Sequence, residues 1–315
     1  MKTSRREIGM DHLIDWLLRG DVAIQYQVHR DLLGSEESSL RDRIATEGWG
    51  AKFLDFRNIQ GHWGQRFYQP KWISTHYTIL DLKNLSISQD NHLIRESISQ
   101  VLESPKGSDG GISPFGAEQK CDVCVNGMFL NYASYFRMPE EKLHSIIDFL
   151  LVEHMKDGGF NCRSNFGGAT HSSVHSTISV LEGILEYSRN GYKYRLGDLH
   201  KAENKCVDFL LEHRLFKSHQ TGEIFDKKML MLSYPSRWRY DILRALDYIQ
   251  SAHVKYDPRM QDAIDILITK RRRDGRWPVQ AKHPGQTHFD MEKTGDPSRW
   301  NTLRALRVLK YIDQE

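Results

Sequence analysis

The segment Asp157–Tyr187 reads DGGFNCRSNFGGATHSSVHSTISVLEGILEY, and it combines a glycine turn, an aromatic residue, a polar cluster and an apolar helix. Segments built in the same order begin at Gly61, Asp109, Thr221 and Asp274. The unit therefore recurs at intervals of roughly 50 to 60 residues, which indicates a helical repeat architecture. Units that each leave an apolar face open must stack to bury it, so the repeat predicts one domain spanning residues 1–315.

Apolar residues at three- and four-residue steps predict helices along nearly the whole chain. Helices with one charged face are predicted to form an outer layer: Ser38–Phe56, Asn91–Leu102, Pro139–His154, Leu199–Phe216 and Pro258–Arg271. Less charged helices are predicted to form an inner layer: Trp72–Leu85, Cys124–Phe136, Ser172–Tyr187, Arg237–Ile249 and Ser298–Ile312. With Asp11–Leu18 and Asp21–Leu33 as a further pair, the sequence predicts an all-α fold, an α6/α6 toroid of six helical hairpins around a central cavity.

Composition excludes several classes of function. A net charge of +3 over 315 residues does not favour binding to nucleic acid, and the run Lys270–Arg273 is typical of a solvated helix end. No apolar run approaches the roughly 18 residues that span a bilayer. The N-terminal stretch lacks the uninterrupted apolar run of a secretory signal, so we expect a cytoplasmic protein. Four cysteines are too few for a disulfide scaffold in a chain of this length.

The turns carry a resemblance to a known superfamily. GHWG from Gly61, DGGFNC from Asp157 and DGRW from Asp274 resemble the glycine-aromatic turns of the terpenoid cyclases and protein prenyltransferases. Over nearly its whole length the chain is similar to a bacterial group described as squalene-cyclase-like. The resemblance implies an α/α toroid, and we expect the turn aromatics Trp63, Phe160 and Trp277 to plug the space between hairpins.

The resemblance also suggests a metal site. Protonation-initiated cyclases use an Asp-x-Asp-Asp acid, which this sequence lacks, keeping only Asp122 at that place. Protein prenyltransferase β subunits hold zinc with an Asp-x-Cys before one inner helix and a histidine at the start of the next. This likeness implies zinc bound by Asp122, Cys124 and His175, with Cys162 reaching the site from a turn. Buried packing of the cysteines and a hydrogen-bonded histidine are the alternative.

The resemblance thus predicts a zinc-assisted enzyme, a transferase, acting on a hydrophobic substrate of isoprenoid type in the central cavity. Prenyltransferases act with a partner subunit, so a protein partner is also implied. The predicted substrate-binding residues lie at the entry ends of the inner helices and are Trp72, His76, Arg237, Trp238, Arg299 and Trp300. Arg237, Arg299 and Arg304 would hold a diphosphate or, alternatively, form ion pairs around the ring.

Carboxylates support a second hypothesis, because α/α barrels also host glycoside hydrolases and lyases. Asp122 and Asp241 are the catalytic candidates, and Asp290 and Glu292 lie in a long polar insert before the last helix. A non-catalytic binding scaffold is the third hypothesis. The lining of the cavity distinguishes the three, since an apolar, aromatic-lined cavity suits an isoprenoid, a polar cavity with paired acids suits a sugar, and a filled cavity suits a scaffold.

Overall fold

The computed structural model describes residues 11–114, 116–163 and 167–314. In chain order its helices are α1 (11–18), α2 (Val22–Val28), α3 (Ser38–Arg43), α4 (Gly48–Asp55), α5 (Thr75–Asn84), α6 (His92–Glu103), α7 (Val123–Tyr135), α8 (His144–Val152), α9 (Val174–Arg189), α10 (Leu196–Glu212), α11 (Ile242–Ser251), α12 (Gln261–Thr269) and α13 (Arg299–Ile312). A π turn follows α2 at His29–Leu33, and short 3₁₀ turns lie at Lys71–Ile73, Glu140–Lys142, Lys227–Leu230 and Pro258–Met260. Two short strands, β1 (Trp277–Pro278) and β2 (Pro297–Ser298), pair antiparallel.

The helices form a closed ring of two layers. The inner helices α2, α5, α7, α9, α11 and α13 follow one another around the ring, and α13 packs back on α2. Between α2 and α5, the Gln27 side chain donates a hydrogen bond to the Asn84 carbonyl oxygen at 2.9 Å. The predicted all-α ring of helical hairpins is therefore confirmed.

The glycine-aromatic turns are joined to the inner helices by a repeated hydrogen bond. In each case the backbone N–H of the aromatic residue donates to a threonine hydroxyl early in the inner helix. The pairs are Trp63 with Thr75, Phe160 with Thr177, and Trp277 with Thr302, each at 3.0 Å. All three aromatic side chains are buried, as predicted. The glycine before each aromatic segment turns the chain with a positive φ, for example +95° at Gly158 and +83° at Gly275.

Two helix boundaries differ from the prediction for identifiable backbone reasons. The predicted outer helix Ser38–Phe56 is broken between α3 and α4, where Gly48 has a φ of +62°. The predicted inner helix Arg237–Ile249 begins only at Ile242 because Arg237 has a left-handed φ of +59°, which a right-handed helix excludes. Asp241 instead caps this helix by accepting the Arg244 N–H at 2.9 Å.

None of the described helices combines the length and the apolar character that crossing a bilayer requires. The basic residues at the N-terminus, which were part of the argument for a cytoplasmic location, lie in residues 1–10. These residues are outside the described part of the chain.

The tightest contact in the ring joins α7 and α9, where Gly127 and Gly183 face each other. A Cβ built on Gly183 would lie 2.5 Å from the Gly127 carbonyl oxygen, which is closer than real Cβ atoms approach. We expect Gly183→Ala to destabilise the fold by about 1–3 kcal/mol, because the two helices must move apart. Gly197→Ala on α10 is the matched control, since nothing lies within 4 Å of its Cβ position. That control is expected to stabilise the helix by up to about 1 kcal/mol. Urea unfolding of both variants measures this, and equal effects would contradict the close packing.

Candidate functional site

A cavity of about 400 Å³ opens at the end of the ring where the inner helices begin, and we call it the entry cavity. The polar insert before α13 covers this cavity, and two hydrogen bonds hold the insert in place. The Trp72 indole N–H donates to the Pro284 carbonyl oxygen at 2.6 Å, and the Thr78 hydroxyl and His288 Nε2 lie 3.0 Å apart. The walls are contributed by both sides of the ring and include Phe53, Trp72, Tyr234, Arg237, His283, His288, Phe289, Asp290 and Glu292.

Two buried polar atoms of the entry cavity have no hydrogen-bond partner within the described residues. They are the Tyr234 hydroxyl and His283 Nε2. Buried polar groups are normally paired, so the two residues that carry these atoms are the candidates for contact with a ligand in this cavity.

The electrostatic surroundings set the protonation of these groups. Burial lowers the pKa of His283 to about 4, and Arg239 and Arg237 add to the effect. Burial also lowers the pKa of His288 to about 4. The imidazoles are therefore neutral at pH 7 and can accept a proton. Burial raises the pKa of Tyr234 well above its ordinary value, so its hydroxyl keeps a proton to donate.

Behind the entry cavity lies a smaller space of about 100 Å³ at the centre of the ring, which we call the ring-centre cavity. Tyr234 and Arg237 line both cavities. The ring-centre cavity is polar, and ion pairs form much of its lining: Asp81 with Arg237, Glu182 with Arg244, and Asp247 with Arg304 and Arg307. Buried pairs of this kind hold the cavity walls in fixed positions because an unpaired charge there is costly.

The carboxylates near the entry cavity are already engaged. Asp241 caps α11, and Glu292 caps α13 by accepting the Ser298 hydroxyl and the backbone N–H of Arg299, the latter at 2.6 Å. Asp290 is mostly exposed and pairs with Lys282. Among the described residues, these groups do not present the two free facing carboxylates that sugar hydrolysis uses. The catalytic role of Asp241 stays a prediction from the sequence.

Contacts connect parts of the predicted zinc site, since Cys162 Sγ accepts a hydrogen bond from the hydroxyl of Ser176, the residue next to His175, at 3.3 Å. The Cys124 backbone N–H donates to Cys162 Sγ at 3.1 Å, so the two cysteines are neighbours at the start of α7, next to Asp122. His175 instead accepts the Tyr240 N–H at 2.8 Å and packs edge-on against Trp238. The described residues contain no group of three or more metal-ligating side chains that could hold an ion. They do not fit a zinc ion as they stand, and zinc binding stays a prediction.

The residues predicted to bind substrate lie in several different parts of the structure. Trp72 and Arg237 line the entry cavity, and Trp300 lines the ring-centre cavity. His76 is fully buried against the Tyr132 hydroxyl. The guanidinium of Arg299 lies over Trp16 and donates to its carbonyl oxygen at 3.1 Å.

Trp238 is half-buried beneath the Arg239 guanidinium. Arg237 and Arg304 form ion pairs across the ring, which was the alternative role for these arginines.

The two residues of the entry cavity that carry unpaired atoms were not among the predicted site residues. His283 lies in the polar insert, whose length and position before the last helix were the available signal. Tyr234 precedes a Pro-Ser-Arg-Trp run that recurs at Pro297–Trp300, and no sequence signal distinguishes this tyrosine from a core aromatic.

His76 provides a pH test of the fold. Burial lowers its pKa to about 3, and Lys71 adds a smaller effect, so the folded chain excludes a proton that the unfolded chain binds near pH 6.5. Its contribution to stability is complete above pH 6.5 and is lost as the pH falls toward 3. Between pH 7.5 and 5 we expect the wild type to lose about 2 kcal/mol relative to a His76→Gln variant. Urea unfolding of both proteins at each pH measures this, and parallel pH profiles would contradict it.

No protein-family model matches the chain, and no curated protein matches it by sequence. Solved structures do match the chain. A polysaccharide lyase matches with a TM-score of 0.53 at 12% identity, over 92% of this chain and 88% of the other. At this identity the likeness shows the fold alone, and it agrees with the predicted α/α toroid.

Two further structures match with lower scores. A glycosyl hydrolase of family 88 from Bacteroides vulgatus has a TM-score of 0.49 at 10% identity, over 92% of this chain and 89% of the other. A type II terpene cyclase from Scytonema, in complex with the product merosterolic acid A, has a TM-score of 0.33 at 12% identity, over 87% and 96%. No argument rests on these two, and membership of the terpenoid-cyclase and prenyltransferase superfamily stays a prediction.

Proposed function

We propose that this chain is a lyase that cleaves a uronate-containing sugar chain in the entry cavity by elimination. The observation that carries the proposal is that His283 and Tyr234, which both line the entry cavity, each carry a polar atom without a partner in the described residues. A base and an acid in one cavity are what an elimination requires.

The proposed step needs no co-reactant. His283 takes the proton from the sugar carbon next to the carboxylate, and that electron pair forms a carbon–carbon double bond. The bond from the neighbouring carbon to the glycosidic oxygen breaks, and the leaving oxygen takes its proton from the Tyr234 hydroxyl. Proton transfer from the His283 imidazolium to solvent and from solvent to the Tyr234 phenolate then restores both groups.

The lining of the cavities supports the sugar-cleaving hypothesis over the other two. The entry cavity combines aromatic residues with charged and unsatisfied polar ones, and buried ion pairs line the cavity behind it, so these walls suit a polar sugar better than an isoprenoid chain. A scaffold has no use for a cavity of about 400 Å³. Among the sugar-cleaving mechanisms, elimination suits the free histidine and tyrosine better than hydrolysis, because Asp241 and Glu292 are engaged as helix caps.

The fold is compatible with this function, since a polysaccharide lyase shares it. That likeness concerns the backbone, and the proposal rests on the groups that line the entry cavity.

The test is an ultraviolet assay of the purified chain on a panel of acidic polysaccharides built on glucuronate, galacturonate, mannuronate and guluronate. Elimination creates a double bond conjugated with the carboxylate, which absorbs where the substrate does not. We expect rising absorbance with at least one member of the panel and none with neutral glucans. No rise with any acidic polymer would overturn the proposal.

A further inference from the structure

The turn that carries Cys162 reaches the first residues of α7. Asp122, the residue before this helix, makes no capping hydrogen bond with its side chain. Cys162 Sγ takes that place, because it accepts the Cys124 N–H at 3.1 Å and also the Ser176 hydroxyl at 3.3 Å. Hydrogen bonds from a helix N-terminus and from a hydroxyl favour reaction at a cysteine sulfur.

The side chains of Cys124 and Cys162 also contact each other, and a hydrogen bond joins their thiols. A disulfide bond is about 2.05 Å long, so sulfur atoms that are already hydrogen-bonded can be brought together by rotation of the side chains. The two residues are 38 positions apart in the sequence. A bond between them would therefore connect the turn before α9 to the start of α7.

The other two cysteines lie in different surroundings. Cys121 and Cys206 are fully buried, whereas Cys124 and Cys162 are partly exposed. The Cys121 side chain is engaged by a hydrogen bond with Asp109, and Cys206 packs into the core from α10. A small oxidant in solution therefore reaches the Cys124–Cys162 pair before the other two thiols.

We propose that Cys124 and Cys162 form a reversible disulfide when the protein meets a small disulfide such as oxidised glutathione. Neither residue lines the entry cavity, so this site is independent of the proposed function. It also bears on the predicted zinc site, because sulfur atoms joined in a disulfide cannot serve as thiolate ligands.

The reaction is two successive thiol–disulfide exchanges. The Cys162 thiolate attacks one sulfur of oxidised glutathione, and the first glutathione leaves as a thiolate. Cys124 then loses its proton to solvent and attacks the Cys162 sulfur, which releases the second glutathione thiolate. The two protein thiols are thereby oxidised to one disulfide, and the oxidant is reduced to two thiols.

The test is incubation of the full chain with an excess of oxidised glutathione, followed by alkylation of the remaining thiols, digestion with trypsin and mass spectrometry. Trypsin cuts after lysine and arginine, so Cys124 is recovered in peptide 121–137 and Cys162 in peptide 157–163. We expect these two peptides to be joined, and dithiothreitol to separate them. The Cys124 and Cys162 thiols should be consumed at least about 10-fold faster than that of Cys206.

Peptide 121–137 also contains Cys121, and this distinguishes the proposal from a bond between near neighbours. A disulfide between Cys121 and Cys124 would leave the peptide unlinked and lighter by two hydrogen atoms, and would overturn the proposal. Glutathione that stays attached to Cys162 in the wild type, or a pair that remains unoxidised, would overturn it as well. Oxidation that occurs only after a chelator has removed metal would do the same and would favour the predicted zinc site.

Three variants test the order of the two exchanges. In Cys124→Ser we expect glutathione to remain attached to Cys162, because the thiol that would displace it is gone. Cys162→Ser keeps an acceptor for the N-terminus of α7 and should leave Cys124 without a linked peptide. Cys206→Ser is the control and should form the link as the wild type does. A Cys124→Ser protein in which Cys162 takes up no glutathione would contradict the attack by Cys162.

Discussion

His283→Gln is expected to lower kcat for an acidic polysaccharide by about 10²- to 10⁴-fold, the usual contribution of a general base. Glutamine keeps a polar side chain of similar size but cannot take up a proton. The imidazole that it replaces belongs to a residue that lines the entry cavity, and its Nε2 has no partner in the described residues. His92→Gln, at an exposed position on the outer helix α6, is the matched control and should leave kcat unchanged.

The pH profile separates a base from a residue that only shapes the cavity. Because burial holds the pKa of His283 at about 4, kcat/KM of the wild type should stay level from pH 7 down to about 5. A histidine with an ordinary pKa would already lose activity below pH 6.5. A loss that begins near pH 6.5, or a His283→Gln variant with near-normal kcat, would contradict the assignment.

Tyr234→Phe removes the proposed acid from the same reaction and should cost a similar factor in kcat. The double variant with His283→Gln should lose little more than either single variant, because the two groups serve one step. Additive losses would indicate that the two residues act independently.

The second large effect concerns stability. Asp247→Ala is expected to destabilise the fold by about 3–5 kcal/mol, because it leaves the buried Arg304 without its carboxylate and the partly buried Arg307 with Asp31 alone. Burial tends to raise the pKa of Asp247, but Arg307 and Arg304 outweigh it and hold the pKa below its ordinary value. The ion pair is therefore intact at neutral pH.

Asp198→Ala is the control for this variant. Asp198 forms ion pairs with Arg195 and Lys201, both at 3.3 Å, but on the surface. Exposed pairs of this kind contribute about 0–1 kcal/mol. Urea unfolding at pH 7 measures both variants. An Asp247→Ala protein no less stable than Asp198→Ala would show that the ring centre does not depend on its ion pairs.

Most of the fold could be predicted from the sequence because the same pattern of turn and helix is repeated around the ring. Three copies bring a glycine with positive φ, a buried aromatic residue and a threonine in the next helix, and the copy from Asp109 has Ile112 and Asn126 in the corresponding places. The remaining errors lie where the backbone departs from that pattern. Arg237 was assigned to the predicted inner helix Arg237–Ile249, yet its left-handed φ places it in the loop before α11.

The site was less accessible from the sequence because it depends on which side chains share a cavity. Trp72, Arg237 and Trp300 were named from their position at helix starts, and all three line one of the two cavities. His175 was placed with Cys124 by analogy, whereas its imidazole is held by the Tyr240 N–H from the following repeat. Tyr234 could not be recognised, since only the fold shows that its hydroxyl has no partner within the described chain.

The masses of the products test the central claim most directly. The purified chain is incubated with a defined acidic oligosaccharide taken from the polymer that it cleaves, and the fragments are weighed by mass spectrometry. Elimination predicts two fragments whose masses sum to that of the substrate, with the double bond on the new non-reducing end. Fragments that together exceed the substrate by the mass of one water would contradict the account, because they would mean hydrolysis.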